Sequence, residues 1–482
     1  MTRRILGMDL GITSGHHAVV IDETCRVLAR SRAHPTVDSL EALERLALAD
    51  APEGTELEVV IDPTGAAWLP VAVFFTARGH RVFRPDVSQT AHLRKALARR
   101  KKTNRVDAEV LAKLAVWSRG ALHALELPTG EAAQLDRVVR ATERLTEEIA
   151  RHKARIRDLA RTAMPLIGQA ISKTMGRADL EVLRSYGDPR ELLKLGLEGL
   201  TRLIFQVSRG EHGEAKARAY LRAADEAVAL YGDSGAVAFE VLAEELAAEI
   251  TRLEVAEATL RPLERRREEC YRKVDPTELA RSVPGIVRVG APLAVAFTGR
   301  AERFPTADRY ASYVGLVPGS SETGETDRKG QSMTKAGNRR LRRMFVRAAD
   351  TARKLDPQLA RIYYVQMVER GAHHNKAVSV VAAHLARRFW ATMVRGTPYV
   401  IRDLDGRPAD RAEAKAIIAG RFTVSEDVRA RRRSKKKRRT APHQVPMGHV
   451  SAVSPRRATE PRRPSSAPSI MRARREVVKA SS

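Results

Sequence analysis

The chain is 482 residues long, 30% charged and only 5% aromatic, with a formal net charge of +28. That length accommodates two or three domains with buried cores. A positive charge of this size points to a polyanionic partner, above all nucleic acid, and sits poorly with a metabolite enzyme. The last stretch, Val428–Ser482, holds 17 Lys/Arg and 2 Glu, so +15 resides there and +13 on the body. The two cysteines, Cys25 and Cys270, exclude a disulfide framework or a zinc-ligand spacing and fit a reducing compartment. The start, MTRRILGMDLG, lacks a long apolar segment, and no run reaches the roughly 18 apolar residues of a membrane span. A cytoplasmic, nucleoid-associated protein without a membrane partner is expected.

Arg3–Asp9 reads as a buried strand ending in an acid and a glycine turn, with hairpin partners at His17–Ile21 and Arg26–Arg30. Leu40–Ala49 reads as a helix, and Glu56–Asp62 as a second apolar strand closed by Pro63 and Gly65. A helix over Trp68–Ala77 and a short strand Arg81–Phe83 follow; Arg94 begins a basic helical stretch leading through RRKKTNRVDAEVLAKL, with Asn104 a helix-cap candidate and Asp107 at the helix head. Alternating strands and helices predict an α/β domain with a mixed sheet over residues 1–125.

Residues 126–272 turn helical. Leu135, Val138, Thr142, Leu145, Ile149, His152, Ile156 and Leu159 alternate three and four apart, and Leu242, Leu246, Leu253, Leu260 and Leu263 form a second seam. Two such helices fold back as an antiparallel coiled coil, with His152 a polar seam residue that sets register. Residues 273–425 are expected to form a mainly helical domain. In it VPGIVRVGAPLAVAF joins two helical stretches through a Pro-Gly turn at Gly285, as in a helix-hairpin-helix that offers backbone N–H groups to DNA phosphates; an ordinary core turn is the competing reading. A loop rich in Gly, Ser and Thr then precedes a helix crowded with Arg339, Arg340, Arg342, Arg343 and Arg347. Beyond Gly396 periodicity fades. Arg429–Arg439 is basic at nine of eleven positions, and residues 426–482 are expected to be a disordered basic tail.

Carboxylates brought together from separate strands can hold two Mg²⁺ ions about 3.5–4 Å apart across a scissile phosphate. Asp9, Asp62 and Asp107 suit that role, with Lys101, Lys102 and Arg105 beside them for phosphate. The Asp9–Gly15 segment also resembles the first phosphate loop of actin-like and sugar-kinase ATPases, but their second Asp-Gly hairpin and Gly-Gly adenosine motif are missing.

The marks MDLG, VVIDPTG and KKTNRVDAEVLA, followed by VPGI, RFPTADRYASYVGLVP, TG, MTKAGNRRLRR and the RAAD helix, resemble the DEDD-type insertion-sequence transposases, which include the pilin-gene-inverting recombinases. The resemblance covers about Arg3–Ala115 and Thr277–Met393. It implies an RNase H-like (RuvC-like) N-terminal domain, a coiled-coil middle and a C-terminal transposase domain. The acidic tetrad falls on Asp9, Asp62, Asn104 and Asp107, with Asp62 where the family usually has Glu and Asn104 where it usually has Asp. The family's serine nucleophile falls on Thr323, before Gly324, with Ser320 and Ser321 close enough to substitute. DNA contacts are expected from Lys101, Lys102, Arg105, Gly285, Lys335, Asn338, Arg339, Arg340, Arg342 and Arg343. The implied partners are element ends, target DNA, a structured guide RNA from the element and further copies of the chain as a dimer or tetramer.

The expected function is that of a transposase or site-specific recombinase using Mg²⁺ and a hydroxyl nucleophile. A junction-specific nuclease that uses water, and a relative that binds nucleic acid without catalysis, are the alternatives.

Overall fold

The computed structural model describes residues 2–63, 65–85, 90–93, 95, 103–118, 122–232, 234–319, 322–323, 326–327, 333–334 and 336–432. The expected tail lies outside them except for its first seven residues.

Five strands, β1 (Arg3–Asp9), β2 (His16–Asp22), β3 (Val27–Ala33), β4 (Glu56–Ile61) and β5 (Arg81–Phe83), form one sheet in the order β3-β2-β1-β4-β5. The β1–β2 and β2–β3 pairs are antiparallel, whereas β4 and β5 run parallel to β1. Period-two alternation sends Leu6, Met8, Val59 and Ile61 to one face, where α1 (Val37–Leu48) and α2 (Trp68–Ala77) cover them with Leu40, Leu43, Val71 and Phe75. Ile5, Val19, Ile21 and Val60 point to the other face, under Ala108, Leu111, Ala112 and Ala115 of α3 (Asn104–Trp117). Each fully buried Leu, Ile or Val contributes about 1.5–3 kcal/mol.

The chain then becomes helical. Helix α4 (Gly130–Ala163) spans 34 residues, roughly 50 Å at about 1.5 Å per residue, and packs along the 36-residue α8 (Phe239–Val274). Their pairing is antiparallel: Lys273 reaches Glu131 at 2.9 Å at one end, while His152 meets Glu249 at 2.6 Å far along the pair. His152 thus bonds across the two helices, as expected of a register residue. Of the expected seams, Leu135, Val138, Ile156, Leu246 and Leu253 are buried. Three intervening helices, α5 (Arg177–Ser185), α6 (Pro189–Ser208) and α7 (Glu214–Tyr231), close a separate core over one end of the pair with Val182, Leu200, Ile204 and Tyr220.

The other end of the pair joins a C-terminal core. Here α9 (Leu279–Ser282), α10 (Gly290–Thr298), α11 (Ala307–Val314), a short hairpin of β6 (Glu322–Thr323) and β7 (Thr326–Asp327), α12 (Arg339–Ala352) and α13 (Pro357–Tyr364) precede the long α14 (His374–Arg395). Tyr310, Phe345 and Phe389 interlock at its centre, with ring centroids 5.5–6.2 Å apart. Beyond Gly396, α15 (Arg411–Arg421) continues the mainly helical domain, and α16 (Glu426–Arg431) gives the first residues of the expected disordered tail a regular element. Asp410 caps α15 through the N–H groups of Ala412 and Glu413 at 2.7 and 2.8 Å, with Glu413 returning a bond to the Asp410 N–H. Among the described residues, no helix is long and apolar enough to cross a membrane.

Candidate active site

The register of the sheet brings the first two acids together. Met8 pairs with Ile61 in the parallel ladder, and the N–H of Asp62 donates to the Met8 carbonyl at 3.0 Å. Asp9 and Asp62 therefore leave the sheet at neighbouring strand ends. Both continue the alternation of residues facing α3, Asp9 after Ile5 and Gly7, Asp62 after Val60.

Gly7 explains how the third acid arrives. A Cβ at Gly7 would lie 2.1 Å from the Ala108 carbonyl and 2.5 Å from the Ala112 nitrogen, so only glycine lets α3 approach so closely. Asp107 lies next to Ala108 in the first turn of that helix. All three carboxylates are half-buried. Their hard oxygen donors are the kind Mg²⁺ prefers. Among the described residues, no three His, Cys, Asp or Glu side chains converge closely enough to hold a metal ion.

The cap of α3 is Thr103, not Asn104: the Thr103 hydroxyl accepts from the Val106 N–H at 3.3 Å, and its backbone is extended (φ −137°, ψ 150°). Asn104 is the first helical residue, exposed, three residues ahead of Asp107 and so on the same side of the helix. Arg94, Lys101 and Lys102 lie outside the described residues.

Sequence reasoning missed His17, which pairs with Asp9 across β1 and β2. Its Nε2 stands 3.3 Å from Arg32. Burial first, then Arg32 and Arg105, hold its imidazole below the usual value, so it stays neutral at neutral pH. The HHAVVID alternation already put His17 on the Asp9 side of the sheet. At the opposite end of this face Glu58 is buried and clamped by Arg3 at 3.2 Å and Arg81 at 3.1 Å, a structural use of an acid.

In the C-terminal part, the segment carrying the hydroxyl candidates rises from a closed base. Gly315 (φ +77°) and Gly337 (φ +117°) pack back to back, where Cβ atoms would meet the Ala336 and Tyr313 carbonyls at 2.3 and 2.4 Å. The Asn338 N–H donates to Tyr313 at 2.8 Å and the Thr334 N–H to Val317 at 3.1 Å. Thr323 ends β6 and pairs with Thr326. Ser320, Ser321 and Lys335 lie outside the described residues.

The arginine helix divides its labour. The Asn338 side chain caps α12, accepting from Arg340 and Leu341 at 3.0 and 3.1 Å. Arg343 holds Glu143 at 2.7 Å and Glu147 at 3.3 Å on α4, and Arg340 lies over the Phe297 ring, its centroid 5.8 Å away. Arg342 donates to the Val314 carbonyl at 3.4 Å, and burial, reinforced by Arg339, lowers its pKa. Arg339 and Arg347 are exposed and make no ion pair among the described residues. Gly285 (φ +80°) packs its Cα against α12, where a Cβ would sit 2.2 Å from the Ala348 carbonyl, so this turn has a packing reason for its glycine.

Two family models match the chain, one described as Transposase over residues 6–165 and one described as Transposase IS116/IS110/IS902 family over residues 277–364. The chain is 27% identical to the insertion element IS110 uncharacterized 43.6 kDa protein of Streptomyces coelicolor over 401 residues, 82% of this chain and 95% of that relative. It is 26% identical to the insertion element IS116 uncharacterized 44.8 kDa protein of Streptomyces clavuligerus, covering 80% and 94% of the two chains. The insertion element IS900 uncharacterized 42 kDa protein of Mycobacterium paratuberculosis is 26% identical over the same shares. The chain belongs to the IS110/IS116 transposase family. Its activity is accordingly that of a DNA transposase. Asp9, Asp62 and Asp107 fall inside the first matched segment of the transposase, and Thr323 with the arginine helix inside the second. The helices α5–α7 lie between the two.

Proposed function

We propose that this transposase cuts and rejoins DNA at the ends of an insertion sequence using Asp9, Asp62 and Asp107 as ligands for Mg²⁺. The observation that carries this is that Asp9 and Asp62 leave neighbouring strand ends, while α3, with Asp107 in its first turn, packs closely against Gly7 on the same sheet face. The strand order, three antiparallel strands with two more parallel to the first, supports an RNase H-like reading of the N-terminal domain. The antiparallel α4–α8 pair supports the coiled-coil reading of the middle.

Mg²⁺ bound there would polarise the scissile phosphate and neutralise developing charge. The chain's own groups do the rest. A hydroxyl at Thr323, or at Ser320 or Ser321, attacks phosphorus, the phosphoester bond to the leaving strand breaks, and the departing oxygen takes up a proton. The resulting ester preserves bond energy for rejoining to a second strand. His17, Arg32 and Arg105 rim the acidic edge with groups suited to the DNA backbone, and Arg339 and Arg347 offer further phosphate contacts. Arg340, Arg342, Lys101, Lys102 and Lys335 complete the proposed DNA surface, while Gly285, Asn338 and Arg343 serve packing, capping and the tie to α4. A structured RNA from the element is the proposed site selector, and a dimer or tetramer the working form.

The test is excision of the flanking element in cells by wild type, Asp107→Asn, Thr323→Ala and Ser321→Ala, with denaturing gels for a covalent protein–DNA adduct. Loss of excision in Asp107→Asn and loss of the adduct in one hydroxyl variant are expected. Cleavage without any adduct would instead identify a water-using nuclease, and no cleavage with Mg²⁺ and cognate ends would identify a binding protein.

A further inference from the structure

A cavity of about 440 Å³ opens in the C-terminal part, between α13, the turn after it and α14. Its floor is unusual. The Arg370 N–H bonds the Val365 carbonyl at 2.9 Å, five residues back, so Val365–Glu369 is a π-turn rather than a continuation of α13. Such turns are rare, strained relative to α-helix and frequent at functional sites. The wide turn lets Val365, Gln366 and Arg370 all line one cavity.

The lining has the mix expected of a ligand site, apolar walls with a few convergent polar groups. Val365 and Val380 supply apolar wall; Arg361, Gln366, Arg370 and His384 bring the polar groups. Gln366 is only 8% exposed and lines the cavity. A carboxamide at a cavity wall can both donate to and accept from a ligand. Arg361 and Arg370 are exposed at the rim and form no ion pair among the described residues. Burial, then Arg387 and Arg388, push the His384 pKa down, leaving a neutral ring that can donate or accept.

We propose that this cavity receives one unstacked nucleotide of the nucleic acid the transposase handles, its base between Val365 and Val380 with an edge on Gln366 and its phosphates on Arg361 and Arg370. The space is too large for inorganic phosphate alone. A carboxamide both donates and accepts, as the edge of a base does. Unpaired bases of single strands are the ones that can be splayed into such a slot. The proposal rests on nucleic acid being the substrate and not on the carboxylate site.

The experiment uses the full chain with short single strands of DNA and of RNA carrying photoreactive pyrimidines, and maps crosslinked peptides by mass spectrometry. Crosslinks on Val365–Arg370 or Val380–His384 are expected from at least one strand type; which type reacts assigns the source. The double variant Arg361→Ala/Arg370→Ala should bind single strands about tenfold more weakly. Its log K against log salt slope should fall by about 1.4, near 0.7 for each lost phosphate contact. Gln366→Leu, similar in shape, should weaken binding of an intact strand but not of one whose bases are removed. Melting temperature controls for folding. Crosslinks confined to other peptides, or a double variant with wild-type affinity and slope, would overturn the proposal. Excision by Asp107→Asn, run alongside, reports separately on the carboxylate site.

Discussion

The backbone N–H of Asp62 donates to the carbonyl of Met8 at 3.0 Å, one step beyond the last ladder pair of β1 with β4. That bond keeps the chain after β4 level with the end of β1, so Asp9 and Asp62 stand at neighbouring strand ends. Replacing Asp9, Asp62 or Asp107 by Asn keeps shape and removes charge. Each change is expected to lower excision about 100-fold or more, the scale on which loss of one electrostatic stabiliser acts, with an unchanged melting temperature. Wild-type excision by Asp107→Asn would remove that residue from the site.

Asn104 provides the converse experiment. It is exposed in the first turn of α3, where the helix dipole favours a negative charge by about 0.3–1 kcal/mol. Asn104→Asp is therefore expected to fold normally and to lower the Mg²⁺ concentration giving half-maximal excision. A titration curve that does not move would separate Asn104 from the metal.

Gly7 is the point where folding and chemistry meet. Gly7→Ala would drive a methyl into the Ala108 carbonyl and is expected to cost about 1–3 kcal/mol through displacement of α3. Because Asp107 rides on that helix, excision should fall further than stability alone explains. Chemical denaturation and excision, measured on one preparation, give the two numbers.

His16 sets a pH dependence for the N-terminal domain. It is 1% exposed with both ring nitrogens unpartnered, and burial, then His34, hold its pKa below the usual 6.5. The unfolded chain takes up the proton first as pH falls, so stability is intact above 6.5 and declines below it until the folded ring also titrates. One such group gives a slope of at most about 1.4 kcal/mol per pH unit. Melting curves from neutral to mildly acidic pH should show this loss in wild type and a shallower one in His16→Leu.

Arg339 and Arg343 are four residues apart on α12 but should behave differently. Arg343→Ala breaks the contacts with Glu143, itself 9% exposed, and is expected to lower the melting temperature. Arg339→Ala should leave melting alone and reduce the salt slope of duplex binding by about 0.9, the loss of one phosphate contact. Identical melting temperatures for the two variants would contradict this division.

The strands were legible because apolar runs such as ILGM and VVI are bounded by charge or breakers, and the two strand-end acids followed from them. Thr103 and Asn104 are both good caps in a row, and only the backbone distinguishes them. Helices α15 and α16 escaped notice because they bury only Ala414 between them, leaving no apolar stripe to count. The pairing of Arg343 with Glu143 spans 200 residues, and the closeness of Gly7 to α3 is a tertiary fact; neither leaves a local trace in sequence. The arginine helix therefore read as uniformly available for phosphate, when part of it ties α12 to α4.

The back-to-back glycines at Gly315 and Gly337 have a consequence for how this enzyme can change. They seal the base of the Thr323 segment from the helical core, and the bridge between Pro318 and Met333 closes it once more. Loop-closure cost grows only slowly with length, about 0.6 kcal/mol per doubling. Residues can therefore be gained or lost between that bridge and the hairpin tip while the helices below keep their packing. If a hydroxyl of this segment attacks DNA as proposed, how far it reaches becomes an adjustable length that can change without renegotiating the fold.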